Sequence, residues 1–213
     1  MIDPIFDTAT NIGYDIASIV GTLAFAISGF LMGVRHRLDA MGLFIVSALP
    51  AVGGGILRDT LVNRLPATLV NPEGFFLVIL AVLCSFLFRL HKIDNLENRF
   101  LFVISDSLGL VAFSITGAMV GIQTGFNIFG VVILAFLTAV GGGIIRDILV
   151  NDVPVILQKG FYGSIAVIIA GMMYGLNYFQ FINVYTTFFV FLCGITLRLV
   201  AYFYRWNLPK INY

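Results

Sequence analysis

Ala51-Val52-Gly53-Gly54-Gly55-Ile56-Leu57-Arg58-Asp59 returns, with one exchange of Leu57 for Ile145, as Ala139-Val140-Gly141-Gly142-Gly143-Ile144-Ile145-Arg146-Asp147. Both copies lie inside long apolar runs. Glycine carries the largest backbone entropy cost and leaves the backbone uncovered, so three in a row weaken a helix. The Arg-Asp pair a turn later puts ionisable groups where lipid penalises them. A weakened helix beside buried charge, present twice, is the pattern of a transport or conduction site. The plain alternative is two glycine packing patches, each with a boundary ion pair, although packing alone does not require the charges.

The rest of the chain supports a membrane setting. Of its 213 residues 60% are hydrophobic and only 11% are charged, and the mean hydropathy is +1.02. Ordinary soluble domains are about 25% charged. The repeated long apolar runs predict an all-α integral membrane protein rather than a barrel. A net charge of +1 offers no electrostatic case for nucleic acid. Cys84 and Cys193 lie in apolar runs and read as small buried hydrophobes, and neither His36 nor His91 has the company of metal ligands. No metal site, cofactor, nucleophile elbow or phosphate loop is expected, so enzyme chemistry finds little support. The N-terminus, with Asp3 and Asp7 and no basic residue, does not read as a cleavable signal peptide.

At about 20 residues per span, seven helices are expected: about 14–34, 40–62, 72–90, 100–122, 126–150, 161–178 and 182–204. Basic residues follow helices one, three, five and seven (Arg35, Arg37, Arg89, Lys92, Arg99, Lys159, Arg205, Lys210), whereas the loops after helices four and six carry none. This asymmetry predicts an outer N-terminus and a cytoplasmic C-terminus. Arg58 and Arg64 break the pattern, which points to a role other than setting topology.

The glycine motif belongs to a longer repeat, 88 residues apart. In that register Gly21, Phe25, Ile27, Gly29 and Gly33 pair with Gly109, Phe113, Ile115, Gly117 and Gly121. Gly42, Asn63 and Pro66 pair with Gly130, Asn151 and Pro154. Each unit holds three spans, so the second enters the membrane upside down. The expected organisation is one membrane domain: residues 14–98 (helices one to three), 100–178 (four to six, inverted) and 182–204 (helix seven).

Neighbours on a helix point about 100° apart, so Arg58 and Asp59 are not each other's natural partners. Asp15 and Asp106 are better candidates. The reading therefore expects an outer cluster of Asp15, Arg58 and Asp59 and an inner one of Asp106, Arg146 and Asp147, at the two mouths of a polar path. The alternative is ion pairs that only lock helices together. The glycines at 53–55 and 141–143 either free carbonyls to replace ion hydration or bend helices two and five. With no proline among them, a bend is favoured over unwinding. Ser28, Ser47, Thr116 and Thr138 are candidate path-lining hydroxyls, with a bond to their own helix carbonyls as the alternative. Small-xxx-small patterns such as Gly29-x3-Gly33 and Gly117-x3-Gly121 fit close packing, within or between chains. The aromatic residues near the span ends read as headgroup anchors.

The paired Gly-Gly-Gly-x-x-Arg-Asp motif at 53–59 and 141–147, in an inverted three-plus-three repeat, resembles the prokaryotic TRIC (trimeric intracellular cation) channels. It also resembles related bacterial membrane proteins, some of them regarded as glycine transporters. The resemblance spans about residues 14–204. It implies a homotrimer in an inner membrane, in contact with lipid, each protomer holding an hourglass pore bounded by bent helices two and five. It further implies conduction of monovalent cations, potassium and also sodium. Animal members carry a lysine-bearing motif where this chain has Arg58-Asp59, a departure from the pattern on which animal-type phosphoinositide binding and gating rest. A secondary transporter of glycine or a similar small amino acid needs the same broken helices and charges, and the residues leave both readings open.

Overall fold

The computed structural model describes residues 8–93, 95–158 and 161–206, the side chains of 8–11 and 95–98 aside. Asp3, Asp7, Lys159 and Lys210, which carry part of the orientation reading, lie outside the described residues. The order is α1 (Thr8–Arg35), α2 (Ala40–Leu61), α3 (Ala67–Val70), α4 (Glu73–Leu87), α5 (Asn95–Gln123), α6 (Ile128–Leu149), α7 (Val155–Gln158), α8 (Gly163–Tyr178) and α9 (Val184–Phe203). Among the described residues there is no strand.

Equivalent residues start and stop equivalent helices. Asp39 caps α2 by accepting from the Gly42 N–H at 2.7 Å, and Asn127 caps α6 by accepting from Gly130 at 3.0 Å. Asn63 and Asn151 reverse the chain after these helices in the left-handed region, at φ 55° and 58°, a conformation asparagine tolerates better than most side chains. The short helices α3 and α7 follow Pro66 and Pro154 as matching hooks.

Five helices (α1, α2, α5, α6 and α9) are long and apolar enough to cross a membrane. The expected third and sixth spans are shorter than predicted: α4 has 15 residues and α8 has 16. Fifteen residues reach about 22 Å, against a hydrocarbon core of about 30 Å. At α4 the stretch is cut short by Pro72 at its start and by Arg89, in the left-handed region, just after its end.

α1, α2, α5 and α6 form the centre, with α8 laid across α5 and α6, α4 against α1 and α2, and α9 against α5 and α8. The contacts are reciprocal across the 88-residue register. A Cβ on Gly21 would stand 2.5 Å from the Phe113 ring, and one on Gly109 would stand 2.7 Å from the Phe25 ring. The two rings meet at 5.3 Å. Gly53 faces Ile145, and Gly141 faces Leu57. Rising numbers on one helix meet falling numbers on the other, so α1 runs antiparallel to α5 and α2 to α6.

Both triple glycines lie within unbroken helix, which excludes the unwinding considered above. The carbonyls stay in the helical ladder, and the glycines act through close approach. A Cβ on Gly54 would lie 2.2 Å from the Thr138 carbonyl oxygen, and one on Gly142 would lie 2.5 Å from that of Pro50. Between apolar helices in lipid there is no hydrophobic drive to associate, so tight backbone packing of this kind supplies the attraction. Tertiary contact here outweighs the poor helix propensity of glycine. A proline does stand close by: Pro50 lies inside α2, three residues before Gly53. Having no N–H, it leaves the Val46 carbonyl without its helical donor. That carbonyl is pressed against Gly29 of α1, where a Cβ would stand 2.1 Å away. Thr138 holds the equivalent place in α6, so α2 has a local cause for bending that α6 lacks.

Candidate functional site

The antiparallel crossing of α2 and α6 places Arg58 and Arg146 on opposite sides of it. Arg146 is fully buried. Its Nη1 donates to Asp106 Oδ1 at 2.7 Å and to Ser28 Oγ at 2.9 Å. Its Nε donates to Asp147 Oδ1 at 3.0 Å. Nη2 lies 2.9 Å from the same oxygen, close enough for an ion pair but too poorly angled for a hydrogen bond. The guanidinium rests on the Phe102 ring, 4.6 Å from its centre. Four helices meet at this cluster: α1 through Ser28, α5 through Asp106 and Phe102, α6 through Arg146 and Asp147, and α8 through Tyr162, the residue that precedes it and reaches Asp106. Tyr162 donates its phenol to Asp106 Oδ1 at 3.2 Å. Asp147 keeps its second oxygen for the Val155 N–H at 2.8 Å, which ties the α7 hook to the cluster.

The predicted grouping of Asp106, Arg146 and Asp147 is therefore present as a contact set. The Arg58 side is simpler. Arg58 Nε donates to Asp59 Oδ1 at 2.8 Å, and Asp59 Oδ2 accepts from the Ala67 N–H of the α3 hook at 3.0 Å. The guanidinium stands over Tyr14, 5.4 Å from the ring centre, the counterpart of Phe102 in the other repeat. Asp15 does not join this cluster: it is exposed and forms no ion pair with Arg58. The expectation that neighbouring Arg and Asp part company is also overturned, at both copies. The arginine side chain is long enough to span the 100° between them. Each carboxylate is held in place by a backbone N–H of the hook, and a charge buried without water must find a partner.

The four candidate hydroxyls are fully buried. Ser47 and Thr138 donate to the carbonyls of Leu43 and Leu134, both at 2.6 Å. Thr116 donates to the Phe113 carbonyl at 3.2 Å. Ser28 donates to the Phe25 carbonyl at 3.0 Å while accepting from Arg146, so it links α1 to the charge cluster. The hollow beside that cluster, between Gly143, Asp147, Val155 and Tyr162, admits no water-sized sphere.

Two residues of this neighbourhood, Tyr162 and Arg198, stand outside the repeated motifs. Tyr162 has no local signal, because its role exists only once α8 lies against α5. Arg198 does have one: it is the sole charged residue of α9, and a charge within an apolar span marks a functional candidate. Its guanidinium lies over the Tyr162 ring, 4.7 Å from the ring centre.

Fold and clusters together define a multi-pass helical membrane protein in which α1 and α2 pack antiparallel to α5 and α6 across glycine contacts. Comparison with known proteins places it further. The family described as glycine transporter matches residues 15–92 and again 103–178, and the chain belongs to this family. The UPF0126 membrane protein YvgT of Bacillus subtilis is 31% identical, covering 94% of this chain and 97% of the relative. The UPF0126 inner membrane protein YadS of Escherichia coli K12 is also 31% identical, over 89% and 91%. The fold is similar to that of a prokaryotic TRIC channel whose crystal structure was determined in 0.5 M KCl. That match has a TM-score of 0.85 and 29% identity, covering 93% of this chain and 100% of the other. The TRIC orthologue of Rhodobacter sphaeroides gives a TM-score of 0.82 at 27% identity, over 90% and 97%.

Proposed function

We propose that this chain forms a monovalent cation channel, passing potassium and also sodium through a pore within each protomer of a homotrimer. The observation that carries the reading is the likeness to TRIC cation channels over nearly the whole chain. The reciprocal crossing of α2 and α6 at Gly54 and Gly142 supports it, because it supplies a narrow waist between two charged clusters. In this reading α2 and α6 bend at 53–55 and 141–143, the pore runs along them, and the closed crossing is its shut state. Seven spans arranged as an inverted repeat set the two clusters at opposite mouths. The chain sits in the cell inner membrane among lipid, with the N-terminus outside.

An arginine in a cation path needs neutralising, and the contacts do so. Arg146 faces two carboxylates, which gives that cluster a formal charge of −1, and Arg58 is matched by Asp59. Either arginine gates by leaving its carboxylates, which then face the ion. The test is flux in proteoliposomes, with potassium efflux and labelled glycine uptake followed in parallel. Fast potassium efflux altered by Arg146→Ala and Gly142→Leu supports the channel. Saturable glycine uptake without conductance rejects it in favour of a secondary transporter of glycine or a similar small amino acid. That second reading draws on the description of the family and on the Arg-Asp pairs, which suit the two ends of a zwitterion.

A further inference from the structure

The end of α9 builds a second polar site that neither cluster uses. Arg198 is 3% exposed. Its Nε is buried and has no hydrogen-bond partner. No carboxylate lies within ion-pair distance of it among the described residues; Asp106, which shares Tyr162 with it, is engaged by Arg146 and by the Tyr162 hydroxyl. A buried guanidinium without an anion is costly to keep. This one lines a cavity of about 410 Å³ together with Phe161, Tyr202, Arg205 and Trp206. The cavity wall follows from how the helix stops. Arg205 takes the left-handed conformation at φ 52°, and the Trp206 N–H bonds back to the Ala201 carbonyl at 2.9 Å. The reversal brings the Trp206 indole edge-on to Phe161, 5.3 Å between ring centres.

We propose that this cavity binds a phosphate-bearing anion through Arg198 and Arg205. The planar guanidinium of Arg198 offers paired N–H donors matched to phosphate oxygens. Arg205, exposed at the rim, adds a second positive charge, and Phe161, Tyr202 and Trp206 supply aromatic walls. The site lies where a span ends among Tyr202 and Trp206, the level at which aromatic side chains meet lipid headgroups. The phosphate is supplied either by an anionic lipid headgroup or by a free phosphate. This inference does not depend on what the protein transports.

Trp206 is the only tryptophan in the chain, so its fluorescence reports the cavity directly. Purified full-length protein in detergent is titrated in separate arms with dioctanoyl phosphatidylglycerol, dioctanoyl phosphatidylcholine and inorganic phosphate. The expected result is a saturable change in Trp206 emission with phosphatidylglycerol, absent with phosphatidylcholine at equal concentration. Arg198→Gln should weaken it at least tenfold, Arg205→Gln several-fold, and Arg198→Lys less than Arg198→Gln. The same saturable response to inorganic phosphate, equally sensitive to Arg198→Gln, supports the site and assigns it to free phosphate. A titration unmoved by Arg198→Gln, an equal response to phosphatidylcholine, or no saturable response in any arm overturns the proposal. Should Arg198→Gln not fold, Arg205→Gln decides, and an unshifted midpoint overturns it.

Discussion

The three glycines of each triplet are alike in sequence, but the structure gives them different duties, and alanine substitution separates them. A methyl on Gly54 would sit 2.2 Å from the Thr138 carbonyl oxygen, about 1.2 Å short of ordinary contact at 3.4 Å. The obstacle is backbone, so no side-chain rotation relieves it, and α2 and α6 must part along their crossing. Inserting a methyl into a packed core costs typically about 1–3 kcal/mol, and Gly54→Ala is expected at the upper end, about 3 kcal/mol. Gly142→Ala, facing the Pro50 carbonyl at 2.5 Å, should follow closely. Gly55→Ala is the internal control, because its nearest neighbour is Arg58 Nη2 at 3.9 Å. There the gain in helix propensity, up to about 1 kcal/mol, should show as unchanged or raised stability. Thermal unfolding of the three purified variants in one detergent measures this. If Gly55→Ala proves as damaging as Gly54→Ala, the triplets work through backbone softness, and the close-approach argument fails.

The charges give further outcomes. Arg146→Ala leaves Asp106 and Asp147 buried and unpaired and should cost about 3–5 kcal/mol. Arg58→Ala strands one carboxylate rather than two and should cost clearly less in the same unfolding assay. Tyr162→Phe removes one hydrogen bond to the Asp106 carboxylate and should cost about 1–2 kcal/mol; no loss would mean that Asp106 is held by Arg146 alone. Asp15→Asn, at an exposed position outside the Arg58 cluster, should stay within about 0.5 kcal/mol of the parent; a larger loss would restore Asp15 as a partner of Arg58. Crosslinking in native membranes should give a ladder ending at three copies, and a ladder ending at two would reject the homotrimer.

The sequence by itself determined the all-helical membrane class, the duplicated unit and its 88-residue register. It also picked out Asp106, Arg146 and Asp147 as one group. These are legible because an apolar run long enough to span lipid is a local property, and because glycines and charges stand out against such a background. The tertiary structure decided which atoms meet. Whether Arg58 turns to Asp15 or to Asp59 depends on where the α3 hook delivers the Ala67 N–H, and no spacing rule contains that. Whether a triple glycine unwinds, bends or packs depends on what lies across from it, and here that is the carbonyl of Thr138 or Pro50 on a distant part of the chain. Tyr162 joins Asp106 to Arg198 only because α8 lies against α5 and α9 closes behind it. Close approach between helices is set by pairs of surfaces, and one strand of residues read in order shows each surface without its partner.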